Sequence, residues 1–185
     1  LFSHRATRPR PGLDNKVLTE WNAMMLSSLC ESISAFNRLD LIPVAEKNAE
    51  FLVNELRNTD GVWSRSWQED ALPHAQHSAL AHDLAHVVDA MTRMYELTAT
   101  HSWLQIATET AHQLIAEYWD PEHGGLFTVS ASAEQLIVRQ KDLMDNATPS
   151  ANSVAAYAFL RLAAITGDEH VAIHAHQILA LLARV

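Results

Sequence analysis

The amino-acid sequence predicts an all-α fold of αα-hairpin repeats that form part of an (α/α)6 toroid. Three observations carry this expectation. Six segments repeat apolar residues at helical spacing. They pair into hairpins that resemble one another at offsets of about 62 and 68 residues. The first, third and fifth segments are apolar nearly all round, whereas the others carry a charged face; the former suit an inner ring and the latter an outer one. Three such hairpins make half of a six-hairpin ring.

The first helix is expected over about 18–38, with Leu18, Trp21, Met25, Leu29, Ile33 and Phe36 on its apolar face. The second spans about 43–57, with Pro43 at its first position and Ala45, Ala49, Leu52 and Leu56 inward. The third covers about 80–98 through Leu84, Val87, Val88, Met91 and Met94. The fourth is expected over about 103–119, opened by a Ser102/Gln105 capping box and packed through Leu104, Ala107, Ala111, Leu114 and Tyr118. The fifth, about 149–166, starts with Pro149 in its first turn and ends at Gly167. Asp168 caps the sixth, about 169–184. Ala45, Ala107 and Ala175 occupy one repeat position, and Leu52, Leu114 and Leu182 another. Short links within pairs make the partners antiparallel. The long loops, roughly 58–79 and 119–148, and all three inner-helix N-termini then share one rim. Gly61–Trp67 and Gly124–Val129 on that rim read as small β-hairpins.

With 185 residues, a single helical domain over 1–185 is expected. The 48% hydrophobic content and only five glycines exclude a disordered chain. A net charge of −9 argues against a nucleic-acid partner, and Arg5, Arg8 and Arg10 are expected to pair with local carboxylates. The single cysteine, Cys30, excludes a CxxC redox or zinc-knuckle site and fits a reducing, cytoplasmic compartment. No apolar run reaches the roughly 18 residues of a membrane span, and no signal peptide is visible, so no membrane partner is expected. The start at Leu1-Phe2-Ser3-His4 and the close in an apolar helix read as a piece of a longer protein. Open edges of such a half-ring are expected to drive homo-oligomerisation.

The richest chemistry lies on the expected rim. Asp14, Lys16, Trp21 and Asn22 open the first inner helix; His82 and Asp83 open the second; Arg139, Lys141, Asp142, Asp145 and Asn152 precede and open the third. Carboxylates facing one concavity can serve as general acid and base, which makes Asp83, Asp145 and His82 the catalytic candidates. Asp14, Lys16, Trp21, Asn22, Arg139, Lys141 and Asn152 are the candidates for holding substrate, with Trp21, Trp63 and Trp67 able to stack on a sugar ring. The bland reading of the same residues is helix caps and loop ties. His82 and His86 stand at metal-ligand spacing, but no HExxH glutamate or cysteine joins them, so no metal or other cofactor is expected. His170, His174 and His176 read as a solvated outer face, and Trp103, Tyr118 and Trp119 as packing.

These motifs resemble a known family. Arg8-Pro9 with Asp14-x-Lys16 and Trp21-Asn22, Asp83-x-Ala85, Tyr95-Glu96-x-Thr98 with Trp103-Leu104, Trp119-Asp120 with Gly124-Gly125, and Arg139-x-Lys141-Asp142 through Asp145-x-Ala147-x-Pro149-Ser150-x-Asn152-Ser153 follow, in order, the helical part of the YyaL-type, spermatogenesis-associated protein 20-like family of thioredoxin domain-containing proteins. Departures are Ala23, Leu84 and Ala151, where that family has Gly, Tyr and Gly. The resemblance implies a thioredoxin-like domain, absent from this chain, followed by an (α/α)6 barrel of the six-hairpin glycosidase type, similar to N-acylglucosamine 2-epimerases. Three functional readings stay open. One is a carbohydrate-active cleft with a small sugar ligand, acting as an epimerase, isomerase or glycoside hydrolase. Another is a non-catalytic scaffold that binds a protein or supports the thioredoxin-like domain. The third is a metal-dependent hydrolase using His82 and His86.

Overall fold

A computed structural model of the chain describes residues 1–69, 74–133 and 137–184. Parts of the two long loops expected on the rim, residues 70–73 and 134–136, and Val185 at the expected end of the last helix lie outside the described residues.

A short helix α1 (Phe2–Ala6) precedes strand β1 (Val17–Leu18). The three hairpins are α2 (Thr19–Phe36) with α3 (Ile42–Leu56), α4 (Ala81–Thr98) with α5 (His101–Tyr118), and α6 (Ala151–Thr166) with α7 (Glu169–Leu182). Strands β2 (Ser64–Gln68) and β3 (His74–Ser78) lie between the first two pairs. Helix α4 is the centre of the molecule, packed against α2, α5 and α6, and every residue from Asp83 to Met94 is buried. Helices α2, α4 and α6 form the inner layer, and α3, α5 and α7 back them. No helix among the described residues is long and apolar enough to cross a membrane.

The repeat holds at atomic level. Ala45, Ala107 and Ala175 are all fully buried, as are Leu52 and Leu114, whereas Leu182, the third residue expected at that position, is only partly buried. Each inner helix ends on one left-handed residue, Asn37 (φ 52°), Ala99 (φ 54°) and Gly167 (φ 74°), whose N–H closes the last turn before the chain reverses. Asp168 caps α7, its side chain accepting from Val171 N.

Several expectations need correction. The buried stripe of α2 is Thr19, Ala23, Leu26, Cys30 and Ile33, whereas Trp21, Met25 and Phe36 are exposed. The buried stripe thus follows residues 19, 23, 26, 30 and 33 at helical spacing, and Trp21, Met25 and Phe36 fall on other faces. Cys30 sits deep in this seam with Sγ 3.4 Å from Met94 Sδ, and burial pushes its thiol up to about 12. The Ser102/Gln105 capping box does not form: α5 begins at His101, and Gln105 donates to Glu109 instead. Pro149 lies ahead of the cap rather than inside α6; Ser150 is the N-cap and accepts from Ser153 N.

The rim strands also differ. Gly61–Trp67 does not fold back on itself. Its β2 pairs antiparallel with β3 and, across a long sequence gap, with β1, giving a three-stranded sheet of order β1-β2-β3. Gly124–Val129 forms no ladder among the described residues; one bridge, Trp119 to Leu126, is all that remains of that hairpin. Trp63, expected to face a sugar, is 1% exposed and donates its indole N–H to Thr110 in the core. Trp67 packs edge-on against Phe51 and donates to Glu55 of α3.

Candidate functional site

The N-termini of the three inner helices meet at one end, as their antiparallel pairing requires. Asp83 joins two of them. One carboxylate oxygen accepts from Leu80 N (2.8 Å) at the start of α4, and the other from Glu20 N (3.0 Å) in the first turn of α2. The residue is 2% exposed, and burial raises its pKa to about 6 against the opposing pull of these N–H groups and Arg65. Asp83 is therefore a two-helix cap with no oxygen left for the open rim.

A raised native pKa means that the folded chain binds more protons than the unfolded chain between about pH 4 and 6. Asp83 should favour folding most below pH 4 and lose that contribution, roughly 2–4 kcal/mol, as pH rises through 6. Carbon-13 NMR of the Asp83 carboxyl is expected to show a midpoint near 6. A midpoint at or below 4 would mean that the two N–H donors outweigh burial.

The other rim candidates are also committed to the fold. Arg139 donates to Glu117 O and Val129 O and lies on the Phe127 ring at 4.2 Å. Lys141 donates to Gly124 O (2.6 Å) and pairs with Asp120 (2.6 Å). Burial opposes ionisation of Asp120, but Lys141 and the N–H groups of Glu122 and His123 hold its pKa at about 2. Asn152 is fully buried and bonds both polar backbone groups of Leu126. Asn22 turns toward α3, bonded to Leu18 O and Asn48. Asp145, exposed, accepts from Ser150 N at the start of α6, which holds it below the usual carboxylate range. Asp14 and Lys16 pair with each other at 3.2 Å on the surface, and Trp21 is exposed. Of the expected site, the structure brings His82 together with Asp142, Nε2 to Oδ2 at 3.2 Å.

Below this rim lies a constellation not expected from the apolar reading of the inner helices. His82, His86, Asp89, Arg93 and Glu96 recur every three or four residues and share one face of α4. Ser27 and Glu31 of α2, and Tyr157 and Arg161 of α6, meet this stripe from either side. Asp89 accepts from Ser27 Oγ (2.7 Å), Tyr157 OH (2.5 Å) and Arg93 Nε (2.9 Å). Arg93 also donates to Tyr157 OH and pairs with Glu31 at 2.6 Å. One step on, Arg161 pairs with Glu96 at 2.6 Å. Asp89 and Arg93 are 4% and 9% exposed, so this is a buried ion pair completed by hydroxyl and carboxylate partners.

His86, Asp89 and Arg93 of this stripe line a cavity of about 290 Å³, bounded also by Met24 and Ser28 of α2, Pro149 ahead of α6, and Ser153 and Val154 of α6. His86 is 6% exposed, and its Nε2 is buried without a hydrogen-bond partner. Burial holds the imidazole below the usual histidine range, so it is neutral at pH 7. His82 and His86 join no metal-ligand cluster among the described residues. The sequence signal was present in the polar spacing along α4, masked by the Leu, Val, Ala and Met between those positions.

No protein-family model matches the chain. It is 33% identical over 178 residues to spermatogenesis-associated protein 20 of Mus musculus, a match covering 91% of this chain and 22% of the mouse protein. The chain thus spans about a fifth of the length of the curated relatives it matches, 22% for the mouse protein. Its fold matches cellobiose 2-epimerase from Spirochaeta thermophila with a TM-score of 0.73 and 16% identity, covering 92% of this chain and 44% of the enzyme. Unsaturated glucuronyl hydrolase from Bacillus sp. GL1 matches with a TM-score of 0.70 and 14% identity, covering 94% and 48% respectively. At that identity the likeness is one of fold, and each match covers about half of an (α/α)6 barrel. By sequence the chain is a homologue of one region of spermatogenesis-associated protein 20, and its fold is that of about half of an (α/α)6 barrel.

Proposed function

We propose that this barrel region binds a monosaccharide in the cavity between α2, α4 and α6 and moves a proton on it, as a sugar epimerase or isomerase does. The observation that carries the reading is His86, a neutral imidazole with an unpartnered Nε2 beside a fixed polar wall of Asp89, Arg93 and Tyr157. A neutral imidazole is suited to take a proton from carbon next to a carbonyl near pH 7. His82, one turn away on the same face and paired with Asp142, supplies a second acid–base group. Glycoside hydrolysis fits less well. It needs two carboxyl groups across the scissile bond, and Asp83 and Asp145 are both engaged at helix N-termini. The cavity, about 290 Å³, is of monosaccharide size, at the small end of ligand sites.

Incubating the full-length protein with a panel of aldoses and ketoses in heavy water tests this. Deuterium is expected to enter one sugar at the carbon beside the carbonyl, with His86→Gln abolishing exchange. The same sugar, at about 100 times its Kd, should stabilise the native protein by about 2.7 kcal/mol and raise its unfolding midpoint. A second reading, a non-catalytic scaffold, is favoured by one fact: the polar atoms of Asp83, Lys141 and Asn152, and Nη2 of Arg139, bond this chain's own backbone or side chains. Absence of both exchange and any sugar-induced shift would leave that reading in place.

A further inference from the structure

On the opposite layer of the molecule, α5 and α7 carry a second polar constellation. His112 Nε2 lies 2.7 Å from Asp168 Oδ2, and His170 stands in the first turn of α7 beside them. One donor atom from each of the three residues falls within 4.8 Å of the other two. We propose that His112, Asp168 and His170 bind a divalent transition-metal ion, zinc by its ligand preference, and that the ion ties α5 to α7.

Two imidazoles and one carboxylate form a donor set that suits zinc better than calcium or magnesium, which favour oxygen ligands. At metal–ligand distances of about 2.0–2.2 Å, tetrahedral donors lie about 3.3 Å apart. Reaching that spacing takes rotation of the three side chains from donor atoms that already lie within 4.8 Å of one another. The two carboxylate oxygens of Asp168 divide between cap and cluster: Oδ1 accepts from Val171 N (3.1 Å) as the N-cap, and Oδ2 faces His112.

The neighbouring ring is also positioned. His174 Nδ1 is bonded to His170 O at 2.7 Å, and its ring lies edge-on between His170 (4.4 Å) and Trp119 (4.5 Å). That stack supports the His170 ring from behind. His112 is half exposed, which leaves the fourth position open to water. The site lies outside the proposed sugar cavity and stands or falls separately from it.

Calorimetric titration of the chelator-treated protein with zinc chloride at neutral pH is the test. One equivalent is expected to bind, with His112→Ala and His170→Ala each weakening affinity at least tenfold. Asp168→Asn keeps a good N-cap while removing the anionic ligand, so it should lose zinc affinity and stay folded. His176→Ala, an exposed histidine of α7 outside the cluster, should bind as the parent does. No stoichiometric binding, or binding unchanged in both His112→Ala and His170→Ala, overturns the proposal.

Discussion

Replacing Asp89 with alanine is expected to destabilise the chain by about 3–5 kcal/mol, lowering its unfolding midpoint by about 6–20 °C. The carboxylate is 4% exposed and collects hydrogen bonds from Ser27, Arg93 and Tyr157. Without it, the Arg93 guanidinium stays buried with only Glu31 as an anionic partner, and the Glu31 side chain is 61% exposed. Most of the loss is the cost of an uncompensated charge rather than the worth of the pair. Removing both charges should therefore be far milder: Asp89→Leu with Arg93→Met is expected within about 1–2 kcal/mol of the parent. Urea unfolding of Asp89→Leu, Arg93→Met and the double variant measures the coupling directly. A cost below about 1 kcal/mol for Asp89→Ala would mean that cavity water solvates Arg93, and the buried-pair account would fail.

The double variant also separates stability from binding. It is expected to keep a folded inner layer while replacing the polar groups beside His86 on α4 with methylene and methyl groups. A sugar that shifts the parent midpoint should no longer shift this variant's. A fully apolar inner layer would be the easier way to hold three helices together, since burying charge costs more than burying leucine. Keeping charge there is consistent with a ligand that needs it.

How far the sequence could be read follows the range of the forces involved. Helix existence and pairing were legible because they rest on local periodicity, and Ala45, Ala107 and Ala175 do occupy one buried position in three hairpins. Gly167 announced its left-handed cap, but Ala99 adopts the same conformation without a residue type that signals it. That position follows from hairpin geometry rather than from local preference. The pairing of β1 with β2 was invisible, because Val17 meets Trp67 across a gap that no local pattern spans. The indole of Trp63 looked like a sugar platform and proved to be core, since its hydrogen-bond partner Thr110 lies on α5. The rim motifs were correctly placed together at one end. Their polarity, read as open to ligand, is largely taken up by caps and loop ties. The inner polar stripe required choosing between two periodic patterns on α4, one apolar and one charged, and both are real faces of the same helix.

Asn152→Ala should be comparably costly, about 3–5 kcal/mol, for a different reason. The side-chain amide acts as a substitute neighbouring strand. Its Oδ1 accepts from Leu126 N at 2.7 Å, and its Nδ2 donates to Leu126 O at 3.1 Å and to Asp142 O at 2.9 Å. One fully buried residue thereby satisfies three backbone groups of two loop segments that form no ladder of their own. Gly125 permits this approach. A Cβ there would come within 2.6 Å of Leu181 Cδ2 and 3.0 Å of Asn152 Oδ1, and the residue sits at φ +79°. Alanine at 152 leaves all three groups buried and unpaired, at about 1–3 kcal/mol each before relaxation or water entry offsets part of it. Aspartate does not rescue, because it accepts but cannot donate to the two carbonyls, and it buries a charge. The loss should be local as well as global. Amide exchange at Leu126 is expected to accelerate beyond what the fall in overall stability explains. Equal acceleration at Leu126 and in the core of α4 would show that Asn152 supports the whole fold evenly rather than fastening this loop. His82 pairs with Asp142, whose carbonyl Asn152 holds, so the variant should also loosen the rim histidine and broaden its imidazole resonances.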